Sequence, residues 1–167
     1  METIGVREPG RIRRWMYRSG RPNRLAAALN RVTVWAGETG WFRSRLITLE
    51  VRGRRTGRPI TLPLVPVVHD GHRYLVAMLG ERTGWVANVR AAGGRAVIRS
   101  GGWECVRLVE VEPELRPPIL AAYLRVAPGA RPHIPVDRHA DPAAFAAIAA
   151  GVPVFQICAD HGVADPS

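Results

Sequence analysis

Residues 45–64 read Arg45-Leu46-Ile47-Thr48-Leu49-Glu50-Val51-Arg52-Gly53-Arg54-Arg55-Thr56-Gly57-Arg58-Pro59-Ile60-Thr61-Leu62-Pro63-Leu64. Strand signals over 45–51 and 60–69 flank a glycine- and arginine-rich loop, which predicts a hairpin. Asp70-Gly71 then marks a tight turn into a strand over 73–78. A short helix is expected over 85–92, closed by Gly93 and with Thr83 as its cap. Strands at 95–99 and 103–111 are joined through Gly101-Gly102. A helix after Pro117 carries Ile119, Leu120, Tyr123 and Leu124; a Pro-rich loop and an Ala-rich helix over 141–150 precede a last strand over 154–158. Short strands at close spacing with few helices favour an α+β barrel over a parallel α/β sheet.

On the N-terminal side, residues 1–21 are basic, Gly/Pro-punctuated and expected to be loosely held. A helix is expected to start at Pro22, with Leu25, Leu29 and Val32 on one face. Residues 22–167 are read as one domain, since a chain of 167 residues suits one core. The hydrophobic fraction of 47% is that of a folded chain. The longest apolar run, Ala143 to Ala150, is too short to span a membrane. The N-terminus has arginines but no continuous apolar stretch and no cleavage signal, so the expected compartment is the cytoplasm. Cys105 and Cys158 are too few for a disulfide framework or a zinc site, and are read as buried thiols. No metal is expected.

All 24 basic residues are arginines, and the net charge is +10. Through residue 58 there are 14 arginines against Glu2, Glu8, Glu38 and Glu50; the remaining 10 arginines meet 10 acids. The whole excess therefore lies in the first third of the chain. Nucleic acid, an anionic membrane surface and a polyanionic small molecule are the candidate partners for it.

Gly53 and Gly57 permit the backbone turns that let consecutive N–H groups converge on an anion. Arg54, Arg55 and Arg58 add forked donors, and Thr56 a hydroxyl, all suited to phosphate or carboxylate oxygens. A solvated hairpin tip is the competing reading. No Walker A triplet and no Rossmann glycine fingerprint is present. In the second cluster, residues 79–90, Trp85 and Asn88 are three apart on one helix face and can meet the same planar ligand. Here the competing reading makes Trp85 a core anchor and leaves Asn88 to cap the helix or face water.

Taken together, Leu46-Ile47-Thr48, Gly53-Arg54-Arg55-Thr56-Gly57-Arg58-Pro59, Pro63-Leu64, Asp70-Gly71 and Trp85-x-x-Asn88 followed by Arg90-Ala91 resemble the deazaflavin-dependent nitroreductase family. The resemblance covers roughly residues 43–112. The segments 121–125 and 127–133 look like a subgroup of that family. It implies a split β-barrel of about six mostly antiparallel strands with a few peripheral helices, and coenzyme F420 as hydride donor. It assigns Arg54, Arg55 and Thr56, with Gly57 and Arg58 of the same loop, to the cofactor's phosphate and acidic tail. Trp85 and Asn88, with Pro63, Leu79 and Gly80 of the neighbouring motifs, go to the cofactor's surroundings. F420 carries a phosphodiester and an oligoglutamate tail, which matches an arginine-rich entrance without any specific nucleic acid. The deazaflavin supplies the redox chemistry, so few catalytic side chains are expected.

This chain departs from the family in two places. Well-studied relatives carry a longer, lysine-containing segment before the tryptophan, whereas Leu79-Gly80-Glu81-Arg82 is short. Val65 stands where some relatives have a tyrosine lining the substrate pocket. Tyr123 and His133 are the polar groups that qualify as substrate contacts or proton donors, each against a packing role. The expected activity is hydride transfer from reduced F420 to an electron-poor quinone, enone or nitroaromatic. An FMN-dependent split-barrel enzyme and a non-catalytic F420 carrier stay open beside it. So do a homodimer, by analogy with other split barrels, and a contact of the basic N-terminal helix with the inner membrane face.

Overall fold

The computed structural model describes residues 46–160. The expected helix from Pro22 and the basic segment 1–21 lie outside these residues. The hairpin is present: β1 (Ile47–Arg52) pairs antiparallel with β2 (Pro59–Leu64), Val51 opposite Ile60. In the connecting loop the Gly53 N–H donates to the Arg58 carbonyl and the Gly57 N–H to the Gly53 carbonyl, both at 2.8 Å. Gly57 holds φ +64°, and a Cβ on Gly53 would lie 2.9 Å from Ile60 Cδ1. The loop thus needs glycine for its conformation at one position and for space at the other.

The single strand expected over 60–69 is two strands, which makes the total seven among the described residues where about six were expected. Pro66 lacks an N–H and interrupts the ladder, so β2 stops at Leu64 and β3 (Val67–His69) starts beyond it. β3 pairs with β4 (His72–Val76) across the Asp70-Gly71 turn. The remaining elements are α1 (Gly84–Ala91), β5 (Arg95–Arg99), β6 (Trp103–Glu110), α2 (Arg116–Val126), α3 (Pro142–Ala149) and β7 (Val154–Ala159). Strand order is β2-β1-β5-β6-β7-β4-β3, with every pair antiparallel.

β2 and β3 are therefore the two opposite edges of the sheet, yet consecutive in the chain. Three residue steps from Leu64 to Val67 reach at most ~11 Å. The edges must come together, and the sheet curls into a split barrel. Its edge position is also why β2 tolerates Pro59 and Pro63.

Alternation along the strands builds two cores. Ile47, Leu49, Val51, Leu75, Ile98, Val106, Leu108 and Phe155 converge with Trp85, Val86 and Val89 of α1. Tyr74, Val76 and Val154 face the other way, against Ile119, Leu120, Tyr123 and Leu124 of α2 and Phe145 of α3. Cys105 and Cys158, expected to be buried, are half-buried. They stand on the sheet face away from the first core, beyond the cover that α2 and α3 give the β3–β4–β7 end.

Glu50 also points away from the first core, opposite Thr61 and Val97, and is only 9% exposed. Burial pushes its carboxyl above the usual range, partly offset by Arg99. The folded state therefore holds this proton more tightly than the unfolded chain. The associated stability is full below the ordinary carboxylate value and is lost as pH rises through the folded value. Glu50→Gln should melt at a higher temperature than wild type near neutral pH, with the difference shrinking on acidification. Equal melting temperatures across pH 3–7 would contradict this.

Candidate functional site

A cleft of about 510 Å³ lies where the β1–β2 loop meets the start of α1. Gly53, Arg54, Arg55 and Thr56 come from the loop, Ile60 and Leu62 from β2, and Thr83, Gly84, Trp85 and Asn88 from the segment opening α1. The two sequence clusters are thus one site, and a side chain joins them. The amide oxygen of Asn88 accepts from the Arg54 backbone N–H at 3.2 Å and from Arg54 Nη1 at 2.9 Å. Arg54 Nη1 also donates to the Gly84 carbonyl at 3.3 Å.

Asn88 neither caps the helix nor faces water. It is 4% exposed, and its oxygen fixes the loop to the helix. Trp85 is both core and cleft wall: it is buried, its ring lies 5.4 Å from that of Phe155, and it also lines the cleft. Thr83 occupies the cap position but makes no capping bond to the helix; its hydroxyl donates to the Gly80 carbonyl at 2.6 Å.

No carboxylate among the described residues lines the cleft. Among the described residues the Arg55 and Arg58 guanidinium groups make no hydrogen bond or ion pair, and neither do the N–H groups of Arg55 and Thr56. The Thr56 hydroxyl accepts from the Arg58 N–H at 3.3 Å. The arrangement offers a free cation and free amides beside an apolar wall of Ile60, Leu62 and Trp85. Such a site can hold a ligand that is anionic at one part and flat and apolar at another.

Of the residues singled out from sequence, Arg54, Arg55, Thr56, Trp85 and Asn88 line the cleft. Gly57, Arg58, Pro63, Leu79 and Gly80 do not. Gly57 and Arg58 close the hairpin loop, Pro63 sits in β2 opposite Thr48, and Leu79 and Gly80 form the turn after β4. Tyr123 belongs to the core under α2, where burial pushes its phenol up to about 12. His133 is exposed in the loop after α2. Sequence reading placed Gly53 in the anion loop, where it lines the cleft, but missed Ile60, Leu62, Thr83 and Gly84 as lining residues. For Ile60 and Leu62 the signal existed, since residues two apart on a strand share a face.

No curated protein matches the chain in sequence. Among solved structures, an F420-H2 dependent reductase (FDR-A) is similar at 18% identity and a TM-score of 0.50, over 68% of this chain and 93% of its own. Protein Atu2129 from Agrobacterium tumefaciens, of unknown function, is similar at 15% identity and a TM-score of 0.51, over 68% of this chain and 47% of its own. The conserved hypothetical protein Rv2991 from Mycobacterium tuberculosis gives 16% identity and a TM-score of 0.50, over 78% and 79%. At these identities the likeness is one of fold, and it agrees with the curled antiparallel sheet. Residues 24–116, more than half of the chain and including every residue of the cleft, match the model of the F420H(2)-dependent quinone reductases. The chain belongs to the F420H(2)-dependent quinone reductase family and is an F420-dependent reductase with a split-barrel fold.

Proposed function

We propose that the cleft between the 53–56 loop and α1 holds F420 and that the acceptor is a quinone. The observation that carries this is the pairing of unpartnered donors with an apolar wall in one cleft. The residues fit the cofactor by their chemistry. Arg55 and the Arg55 and Thr56 amides are free to meet phosphodiester or tail carboxylate oxygens, and no acid among the described residues lines the cleft to repel them. Ile60, Leu62 and Trp85 offer a surface for a planar ring.

Bound F420H2 supplies a hydride, and a quinone that takes up this hydride and one proton becomes the quinol. The chain's own part is positional. Arg54 ties the loop to Asn88 and so sets the width of the cleft, while the buried Trp85 closes its floor against water. Among the described residues no carboxyl, imidazole or phenol lines the cleft, so the chain's contribution is binding and orientation.

The test is titration of the protein with F420 and with FMN, followed by ligand fluorescence, and then anaerobic oxidation of F420H2 by a soluble naphthoquinone, an enone and a nitroaromatic. Micromolar or tighter F420 binding with the fastest turnover on the quinone is expected. Preference for FMN would overturn the cofactor assignment to this cleft. Faster turnover on either other acceptor would overturn the quinone.

A further inference from the structure

We infer that Arg90 and Glu81, neither of which lines the cleft, form a positioning clamp that sets the first turn of α1 for cofactor binding. The inference rests on the reading that the cleft holds F420. Arg90 stands in the last turn of α1 and grips two carboxylates. Nη1 and Nη2 meet the Glu81 oxygens at 2.7 and 3.2 Å, and Nε and Nη2 meet the Glu110 oxygens at 2.9 and 2.6 Å. Both contacts are two-pronged, the geometry in which arginine fixes direction as well as distance.

The grip is part of a closed circuit. Glu110, at the end of β6, also accepts from Arg116 Nη2 at 3.3 Å. Arg116 donates from Nη1 to the carbonyls of Ala149 and Val152 at 2.9 and 3.2 Å. Between these two lies Gly151, whose carbonyl would be 3.1 Å from a Cβ on Gly80. Gly80 adjoins Glu81, which returns the circuit to Arg90. The 77–83 turn is thereby held on one side by backbone packing and on the other by the Glu81 carboxylate.

That turn leads straight into the cleft. The Gly80 carbonyl accepts from the Thr83 N–H and hydroxyl at 3.1 and 2.6 Å, and the Val86 N–H donates to the Thr83 carbonyl at 3.1 Å. Thr83, Gly84 and Trp85 are cleft wall. Glu81 is roughly half exposed and Arg90 similarly so. An ion pair so exposed contributes little to global stability, and its consequence is local. Arg90 holds the Glu81 carboxyl below the usual carboxylate range, so the clamp is charged throughout the physiological range.

The experiment compares wild type with Glu81→Gln, Arg90→Gln, Arg90→Lys and the double variant Glu81→Gln/Arg90→Gln. Three quantities are measured: melting temperature, F420 dissociation constant by fluorescence, and amide exchange over residues 80–86 without ligand. Glu81→Gln and Arg90→Gln should each weaken F420 binding by about tenfold with little change in melting temperature, and the double variant should be no weaker than Arg90→Gln alone. Amides 80–86 should exchange faster in each. Arg90→Lys should recover only part of the affinity, since one ammonium cannot fork both carboxylates. Unchanged affinity, unchanged exchange or additive effects would overturn the clamp. Should Arg90→Gln fail to fold, the solvent-facing Glu81→Gln decides alone. Arg55→Ala separates the two claims. If it weakens F420 binding while the clamp variants do not, only the clamp fails; if it leaves binding unchanged, the reading of the cleft fails.

Discussion

An Arg116→Met variant is expected to lose about 3–5 kcal/mol of unfolding free energy, measured by urea denaturation. Arg116 opens α2 and is 4% exposed, a rare position for a guanidinium. It is stable there because its donors are used in three directions. Nε donates to the Val111 carbonyl at 2.8 Å, Nη1 to the carbonyls of Ala149 and Val152, and Nη2 to Glu110. Methionine fills similar space but takes the Arg116 donor from the Val111 and Val152 carbonyls, leaves the Ala149 carbonyl only the Val152 N–H at 3.4 Å, and leaves Glu110 without one of its two arginines. Unsatisfied buried acceptors cost about 1–3 kcal/mol each, so the sum outweighs any gain from a more apolar side chain. Arg116→Lys should recover less than half of the loss, because a single ammonium cannot reach all three directions. A loss below about 1 kcal/mol for Arg116→Met would mean that the carbonyls find water instead.

Arg54→Ala should weaken F420 binding by about a hundredfold, and Arg55→Ala by about tenfold, the range expected for removing a charge-assisted contact. Arg55 is the simpler case, a free cation at the cleft that acts through charge. Its loss should flatten the salt dependence of binding. Arg54 has a second role, since its guanidinium bridges Asn88 and Gly84 and links the two walls of the cleft. Its backbone N–H would still satisfy Asn88 in the alanine variant, so the fold should survive with a change below about 1 kcal/mol. Fluorescence titration at two salt concentrations, paired with a urea melt, separates these effects. Equal affinity of both variants and wild type would make the loop a solvated hairpin tip. A large stability loss in Arg54→Ala would make the clip chiefly structural.

Local features of this protein are legible because their causes are local. The period-2 pattern and the Asp70-Gly71 turn require no partner to be recognised, and β5 falls at the residues the pattern marks. The helix read over 85–92 is observed over Gly84–Ala91. The 60–69 run reads as one strand because most of its residues are apolar, and apolarity does not say which neighbour a strand will take. Pro66 was the available signal for a break. Thr83 has the right type and place for a cap, but its hydroxyl bonds backward to Gly80 because the 77–83 turn brings that carbonyl within 2.6 Å.

By itself the sequence determined an antiparallel barrel, a glycine-framed arginine loop, and a tryptophan and asparagine on one helix face. These rest on backbone sterics, side-chain period and charge, which act over a few residues. Only the tertiary structure decided that β2 and β3 are opposite edges of one curled sheet. It also decided that Arg54 meets Asn88 across 34 residues of chain, and that Trp85 serves core and cleft together. Tyr123 and His133, alike in sequence as polar groups near the C-terminal half, were separated from the cleft in the same way: one is buried under α2, the other faces solvent. The physical reason is common to all of these. Contacts between distant segments depend on how strands pair and how far the sheet curls, and those are properties of the whole chain that no short stretch encodes.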